Sequence, residues 1–235
     1  MDFTNFPGDL QKLVERDVGK QIRTYVRQFL EKPDIVLGLM EKHGAVITGD
    51  IPLWILLTVL KMGVPSFFPK KVEICIPHAH FGAFVMQFAS SYTILSSHTY
   101  VSGWTPFDTD AVTRHFRYIS ECVRITTAER TWKLIRSASR KVEYTAFTKP
   151  TTSELNLLTH NMLISVFPKW TAEGKTCLYG DAKHVGSGYV EAKALAKGFI
   201  TCQDGHEVSN TPQTRRDIKD SDVPLTKEDR LVIGY

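Results

Sequence analysis

The residues best suited to chemistry are Glu73 and Lys71, inside Lys70-Lys71-Val72-Glu73-Ile74-Cys75-Ile76. Positions two apart on a strand share a face, so a carboxylate and an ammonium point the same way. A carboxylate so placed can ligate a hard divalent cation, and a lysine beside it can contact phosphate. Upstream, Gly49-Asp50 closes the run Ala45-Val46-Ile47-Thr48 and opens a long apolar segment. A glycine turn entering a helix offers backbone N–H groups to an anion. Glu143, within Lys141-Val142-Glu143-Tyr144-Thr145-Ala146-Phe147, supplies a second carboxylate. Glu73 and Glu143 are therefore the catalytic candidates and Glu73 the metal candidate. Gly49, Asp50 and Lys71 are the phosphate candidates.

Other constellations have a plainer structural meaning. His78-x-His80 with His98 has ligand types for a transition metal, but histidines beside a turn after Pro77 are ordinary surface residues. Cys75 is expected in the core, on the face opposite Glu73. The glycine-rich stretch from Gly180 to Gly188 lacks the G-K-[ST] ending of a phosphate loop and fits a surface loop. The region 114–141 is basic, with Arg117, Arg136 and Arg140 the leading nucleic-acid candidates and Trp132 and Tyr118 interleaved. Glu121, Glu129 and Glu143 dilute it, so a solvated helix face is the simpler reading.

The elements that must position these groups follow from hydrophobic spacing. Leu10, Leu13, Val14, Val18, Ile22, Val26, Phe29 and Leu30 recur at helical period, predicting an amphipathic helix capped by Asp9 and ended by Pro33. Asp34 is expected to cap a second helix to about Lys42. A buried strand then leads to the Gly49 turn, and Asp50 is expected to cap the apolar helix Ile51 to Met62. Lys71 to Ile76 reads as a strand. Phe81, Phe84, Val85, Phe88, Tyr92 and Leu95 fall at helical spacing, and Trp54, Phe84 and Phe88 are assigned to the core.

Further on, Ser96 to Asp110 reads as a loop, and Ala111 to Val123 and Ala128 to Ser139 as helices. A strand over Arg140 to Thr148 precedes a helix from Thr152 or Ser153 through Leu155, Leu158 and Met162, and Tyr189 to Lys197 reads as a short helix. The expected class is α/β (α+β): a small mixed sheet with helical layers. Residues 1–32 form the N-terminal helix, 33–203 the domain and 204–235 a charged, mobile tail.

Composition is that of an ordinary globular chain: 43% hydrophobic, 11% aromatic and 23% charged residues, with a net charge of +4. This excludes collagenous, wholly disordered and disulfide-scaffold classes, and permits nucleic acid without implying it. The four cysteines form no C-x-x-C pair, so neither a zinc cage nor a disulfide framework is indicated. The N-terminus lacks a secretory pattern, and the most apolar stretch is too short to span a bilayer. The expectation is a cytoplasmic or nuclear protein with no membrane partner.

In order, Ala45-Val46-Ile47-Thr48-Gly49-Asp50, an apolar helix and Lys70–Ile76 resemble the nucleotidyltransferase-fold signature, a strand ending in Gly-Ser, a helix, then a strand with Asp-x-Asp. Leu157-Leu158-Thr159-His160-Asn161-Met162-Leu163 and Phe167-Pro168-Lys169-Trp170-Thr171 extend the likeness to a group of uncharacterised fungal members of that fold. The resemblance implies paired carboxylates that chelate Mg²⁺. Here Lys71 takes the first of those positions and Asp50 the serine's, so it implies a catalytically degenerate binding or interaction module with no cofactor and a nucleotide or protein partner. The alternatives are a Mg²⁺-dependent nucleotidyltransferase using Glu73 and Glu143, and a weak nucleic-acid binder using the 114–141 region.

Overall fold

Apolar residues every three or four positions wind Gly8–Phe29 into helix α1, whose Ile22, Val26 and Phe29 are fully buried. In the computed structural model of the chain, the described residues are 8–60, 65–101, 119–138, 142, 145, 151–176, 187–201 and 231–235. After α1 come α2 (Pro33–His43), strand β1 (Val46–Thr48), α3 (Asp50–Val59), β2 (Lys71–Ile76), a 3-10 turn (His78–His80) and α4 (Phe81–Ser91). There follow β3 (Ser96–Val101), β4 (Ile119–Thr126) and β5 (Thr131–Ser137), then a 3-10 turn at Thr152–Glu154, β6 (Asn156–Leu158) and β7 (Met162–Ser165). The remaining elements are α5 (Pro168–Ala172), β8 (Lys175–Thr176), α6 (Ser187–Ala196), β9 (Ile200–Thr201) and β10 (Leu231–Gly234).

Among the described residues eight strands form one mixed sheet in the order β10-β7-β6-β1-β2-β5-β4-β3, and β8 pairs with β9 separately. Within the large sheet β2 and β5 run parallel, with Glu73 opposite Lys133, and the other pairs are antiparallel. The period-2 alternation divides the side chains between two faces. Ile47, Val72, Ile74, Ile76, Trp132 and Leu134 turn toward the helices, where they meet Phe29, Ile51, Ile55, Phe84 and Phe88. The aromatic rings of Phe88, Tyr92 and Trp132 stack and cross at 4.4 to 5.5 Å, each such pair contributing about 0.5–1.5 kcal/mol beyond its buried area. On the opposite face Val46, Cys75, Cys122, Ile135 and Leu157 form a smaller cluster.

The class is mixed α/β, as the spacing predicts, and α3 is buried nearly all round. Trp54, Phe84 and Phe88 lie in the core, and no helix among the described residues is long and apolar enough to cross a membrane. Several expectations are corrected. The helices foreseen over Ala111–Val123 and Ala128–Ser139 are, where described, the β4–β5 hairpin; basic residues at intervals mimicked a helical face where a strand's alternation applies. Ser96–Val101 is an edge strand instead of a loop, because six of its residues pair with β4. Val142 and Thr145, the described residues of the strand expected over Arg140–Thr148, are helical.

Leu158 and Met162 belong to a β6–β7 hairpin instead of a helix. There Thr159 closes the turn, its Oγ1 accepting the Asn161 and Met162 N–H groups. Leu231–Gly234, placed with the mobile tail, pair with β7. Cys75 shares the face of Glu73, as a two-residue spacing requires, and does not oppose it. Asp9 lies in the first turn of α1, which opens at Gly8. Asp34 makes no cap; its carboxylate accepts from Arg27 at 2.7 Å. The fourth helix stops at Ser91, leaving Leu95 exposed.

The far strand is fitted against the first helix. A Cβ at Gly19 would lie 2.7 Å from the backbone oxygen of Gly234. Gly19→Ala should therefore destabilise the protein by about 1–3 kcal/mol through overpacking, with amide exchange accelerated in β10 ahead of β5. Burial raises the hydroxyl pKa of Tyr92 and of Tyr235 above the ordinary tyrosine value of 10.0. Their protonated forms are favoured in the folded state, so that contribution is complete below pH 10 and is lost as pH rises through the raised values. Denaturant titrations should give a lower unfolding free energy at pH 11 than at pH 8. Tyr235→Phe should shrink the difference.

Candidate functional site

The turn from β1 into α3 brings four of the sequence-predicted residues to one place. Gly49 makes that turn with φ 83° and ψ −136°, a conformation from which a Cβ is largely excluded. Beside it, Glu73 is the register partner of Thr48. A Cβ on Gly49 would stand 3.0 Å from Glu73 Oε2, so the glycine also makes room for the carboxylate. Glu73 is buried, 5% exposed, and lies where the amide ends of α3 favour negative charge.

Two lysines are placed beside Glu73 on its sheet face. Lys71 Nζ is 2.8 Å from Glu73 Oε1. Lys133 occupies the register position opposite Glu73 on β5, on the same sheet face, and is buried. A hard divalent cation needs several oxygen ligands, and here the strand positions two before and directly across from the carboxylate both carry lysine. This donor set does not fit Mg²⁺. Among the described residues no group of three or more His, Cys, Asp or Glu side chains is placed to hold a metal ion.

Asp50, expected as the cap of α3, is instead its first residue, and Gly49 holds the cap position. Asp50 Oδ1 accepts from Lys197 Nζ at 2.6 Å, and the same ammonium donates to Glu154 Oε1 at 2.7 Å. Lys193 Nζ lies 3.3 Å from that Glu154 oxygen. The Lys197 side chain is 8% exposed and that of Glu154 6%, and Lys197 also sits over the Phe67 ring at 5.6 Å. One buried ammonium thus joins the start of α3, the 3-10 turn before β6 and the segment after α6. Sequence reasoning read Lys133 only as part of the basic 114–141 region and missed Glu154, Lys193 and Lys197. The Asp50–Lys197 contact spans 147 positions, which no local spacing can signal.

Glu143, Arg117 and Arg140 lie outside the described residues. Arg136 is partnered within the chain: it donates to Glu121 Oε2 at 3.1 Å, approaches His78 Nε2 at 3.0 Å and lies over the Phe81 ring. Arg130 likewise donates to the carbonyls of Pro69 and Gln28 and packs over Phe29 and Phe68. Of the two histidines after β2, His78 meets Arg136, and His80 stands near His43 at 5.7 Å between ring centres.

No family model matches the chain, and no curated protein or solved structure is significantly similar to it. The site is therefore judged on its own geometry. Removing one member of a buried ionic group strands the others, at about 3–5 kcal/mol. Lys197→Met should cost that much in chemical denaturation, with Asp50 and Glu154 left facing each other. Exposed Lys20→Met, paired with Asp17 at 3.8 Å, should change stability by less than about 1 kcal/mol.

Proposed function

We propose that the chain is a nucleotidyltransferase-like domain that has lost metal-dependent transfer and serves as a binding or interaction module. What supports the fold part is the order of elements: strand, glycine turn, buried helix, then a strand whose Glu73 returns to the turn. The observation that carries the functional part is the ammonium of Lys71 on Glu73 at 2.8 Å, with Lys133 opposite. Two-metal transfer depends on carboxylates that gather cations around the nucleotide phosphates. In this site lysines supply the positive charge from within the chain. Asp50, at the phosphate end of the turn, is neutralised by Lys197 and does not cradle an anion.

The partner class consistent with this reading is a nucleotide bound without metal, or a protein. Nucleotide transfer is the decisive measurement. With labelled nucleoside triphosphates, Mg²⁺ or Mn²⁺ and a panel of protein and RNA acceptors, the purified protein should label nothing above the blank. Millimolar metal–nucleotide should leave the melting temperature unchanged, whereas a ligand at one hundred times its Kd would add about 2.7 kcal/mol. Transfer that disappears in Glu73→Ala would overturn the proposal.

A further inference from the structure

The large sheet ends in a strand that is open on one side. Among the described residues β3 pairs with β4 and with no strand beyond it, so alternate N–H and C=O groups along its outer margin have no ladder partner there. Its side chains are exposed from Ser96 through Thr99, and Tyr100 is half-buried, with the Arg124 guanidinium over its ring at 5.9 Å. Edge strands are ordinarily protected by a charged side chain, a proline or a bulge. Ser96-Ser97-His98-Thr99-Tyr100-Val101 contains no Lys, Arg, Asp, Glu or Pro, and its register with β4 runs without a shift. Just before it, Leu95 is 65% exposed.

The opposite margin is shorter and tied down. β10 has four residues, its Gly234 oxygen lies close against Gly19 of α1, and Tyr235 after it is hydrogen-bonded to the carbonyls of Asn161 and Thr159. The composition of β3 indicates what can cover it. A strand without formal charge lies antiparallel to its own copy with no like charges meeting. Two neighbouring antiparallel strands are related only by a two-fold axis perpendicular to the sheet, which keeps each sheet face on its own side. Residues opposite each other then share a face, so the pairing is centred on one residue of both copies. With His98 at the centre, Ser97 meets Thr99 of the second copy, a pair of hydroxyl side chains suited to cross-strand hydrogen bonding, and exposed Leu95 lies across from position 101. Centring on Thr99 would leave Leu95 outside the pairing, and centring on Ser97 would shorten it.

We propose that β3 is the docking edge for a second copy of this chain, the two β3 strands pairing antiparallel about His98 and joining their sheets into one. Such an isologous contact closes at two copies. The contact is narrow, one strand with a Leu95 at each end, so the dimer is weak and dissociates on dilution. The surface is distinct from the lysine–carboxylate group at α3, and the pairing does not depend on the proposed loss of transfer activity.

The test is sedimentation velocity of the full chain across a micromolar concentration series, where a reversible monomer–dimer equilibrium is expected. Ser97→Lys combined with Thr99→Lys sets lysine against lysine on both sides of the axis and should weaken dimerisation by at least about tenfold. Both positions are exposed, so the monomer keeps its fold. Ser97→Glu combined with Thr99→Lys sets glutamate against lysine in the His98-centred register and should bring dimerisation back to the parent's level. A parent chain that stays monomeric throughout, or a double-lysine variant that dimerises as tightly as the parent, would overturn the proposal. So would a glutamate–lysine variant no better than the double-lysine one, or assemblies larger than two copies, which a head-to-tail contact of β3 with β10 would build.

Discussion

A charge taken out of water must find an opposite charge, and at the mouth of α3 that requirement orders the molecule. Glu73 and Glu154 are both about 5% exposed, a burial that an unpaired carboxylate cannot sustain. Lysine meets each of them. Because the lysines come from distant parts of the chain, satisfying the charge also fixes where those parts go: Lys197 cannot reach Asp50 and Glu154 unless the segment after α6 is seated beside the start of α3. The helix layer supplies hydrophobic free energy without direction; the ionic group supplies the register in which its pieces meet.

The same requirement explains why residue types suited to chemistry are held here in ion pairs. A carboxylate next to a glycine turn at a helix start is a suitable place for a metal–phosphate complex, and the backbone there keeps that form. With an ammonium from Lys71 already on Glu73, admission of a divalent ion would have to displace a covalently tethered cation held at very high effective concentration. A network of this sort is favourable only as a whole, since any one member removed exposes the rest.

How much of this was visible in the sequence depended on range. The α3 burial and the β2 strand follow from period, a glycine and a proline, all local signals, whereas the meeting of Gly49, Asp50, Lys71 and Glu73 was implied only by the resemblance to the nucleotidyltransferase fold. The β4–β5 hairpin was hidden because Arg124, Arg130, Lys133 and Arg136 recur at intervals that suit a helix, while the strand's partners lie in β2 and β3. The β6–β7 hairpin was hidden because its turn is closed by Thr159 and not by glycine. Lys197 was invisible because only the fold brings it to Asp50.

The central position of β1 has a kinetic consequence. Its three residues pair on one side with β2, and two of them, Ile47 and Thr48, pair on the other with Leu158 and Leu157 of β6, so the middle of the sheet is assembled in part from contacts more than one hundred residues apart. Closing such loops before any reward is collected slows folding. Until β6, β7 and β10 arrive in turn, each successive strand presents an unpaired edge, and an open edge invites pairing with another chain. During synthesis the half-built sheet, with β1 as its margin, therefore exposes an edge that only a strand more than one hundred residues later covers.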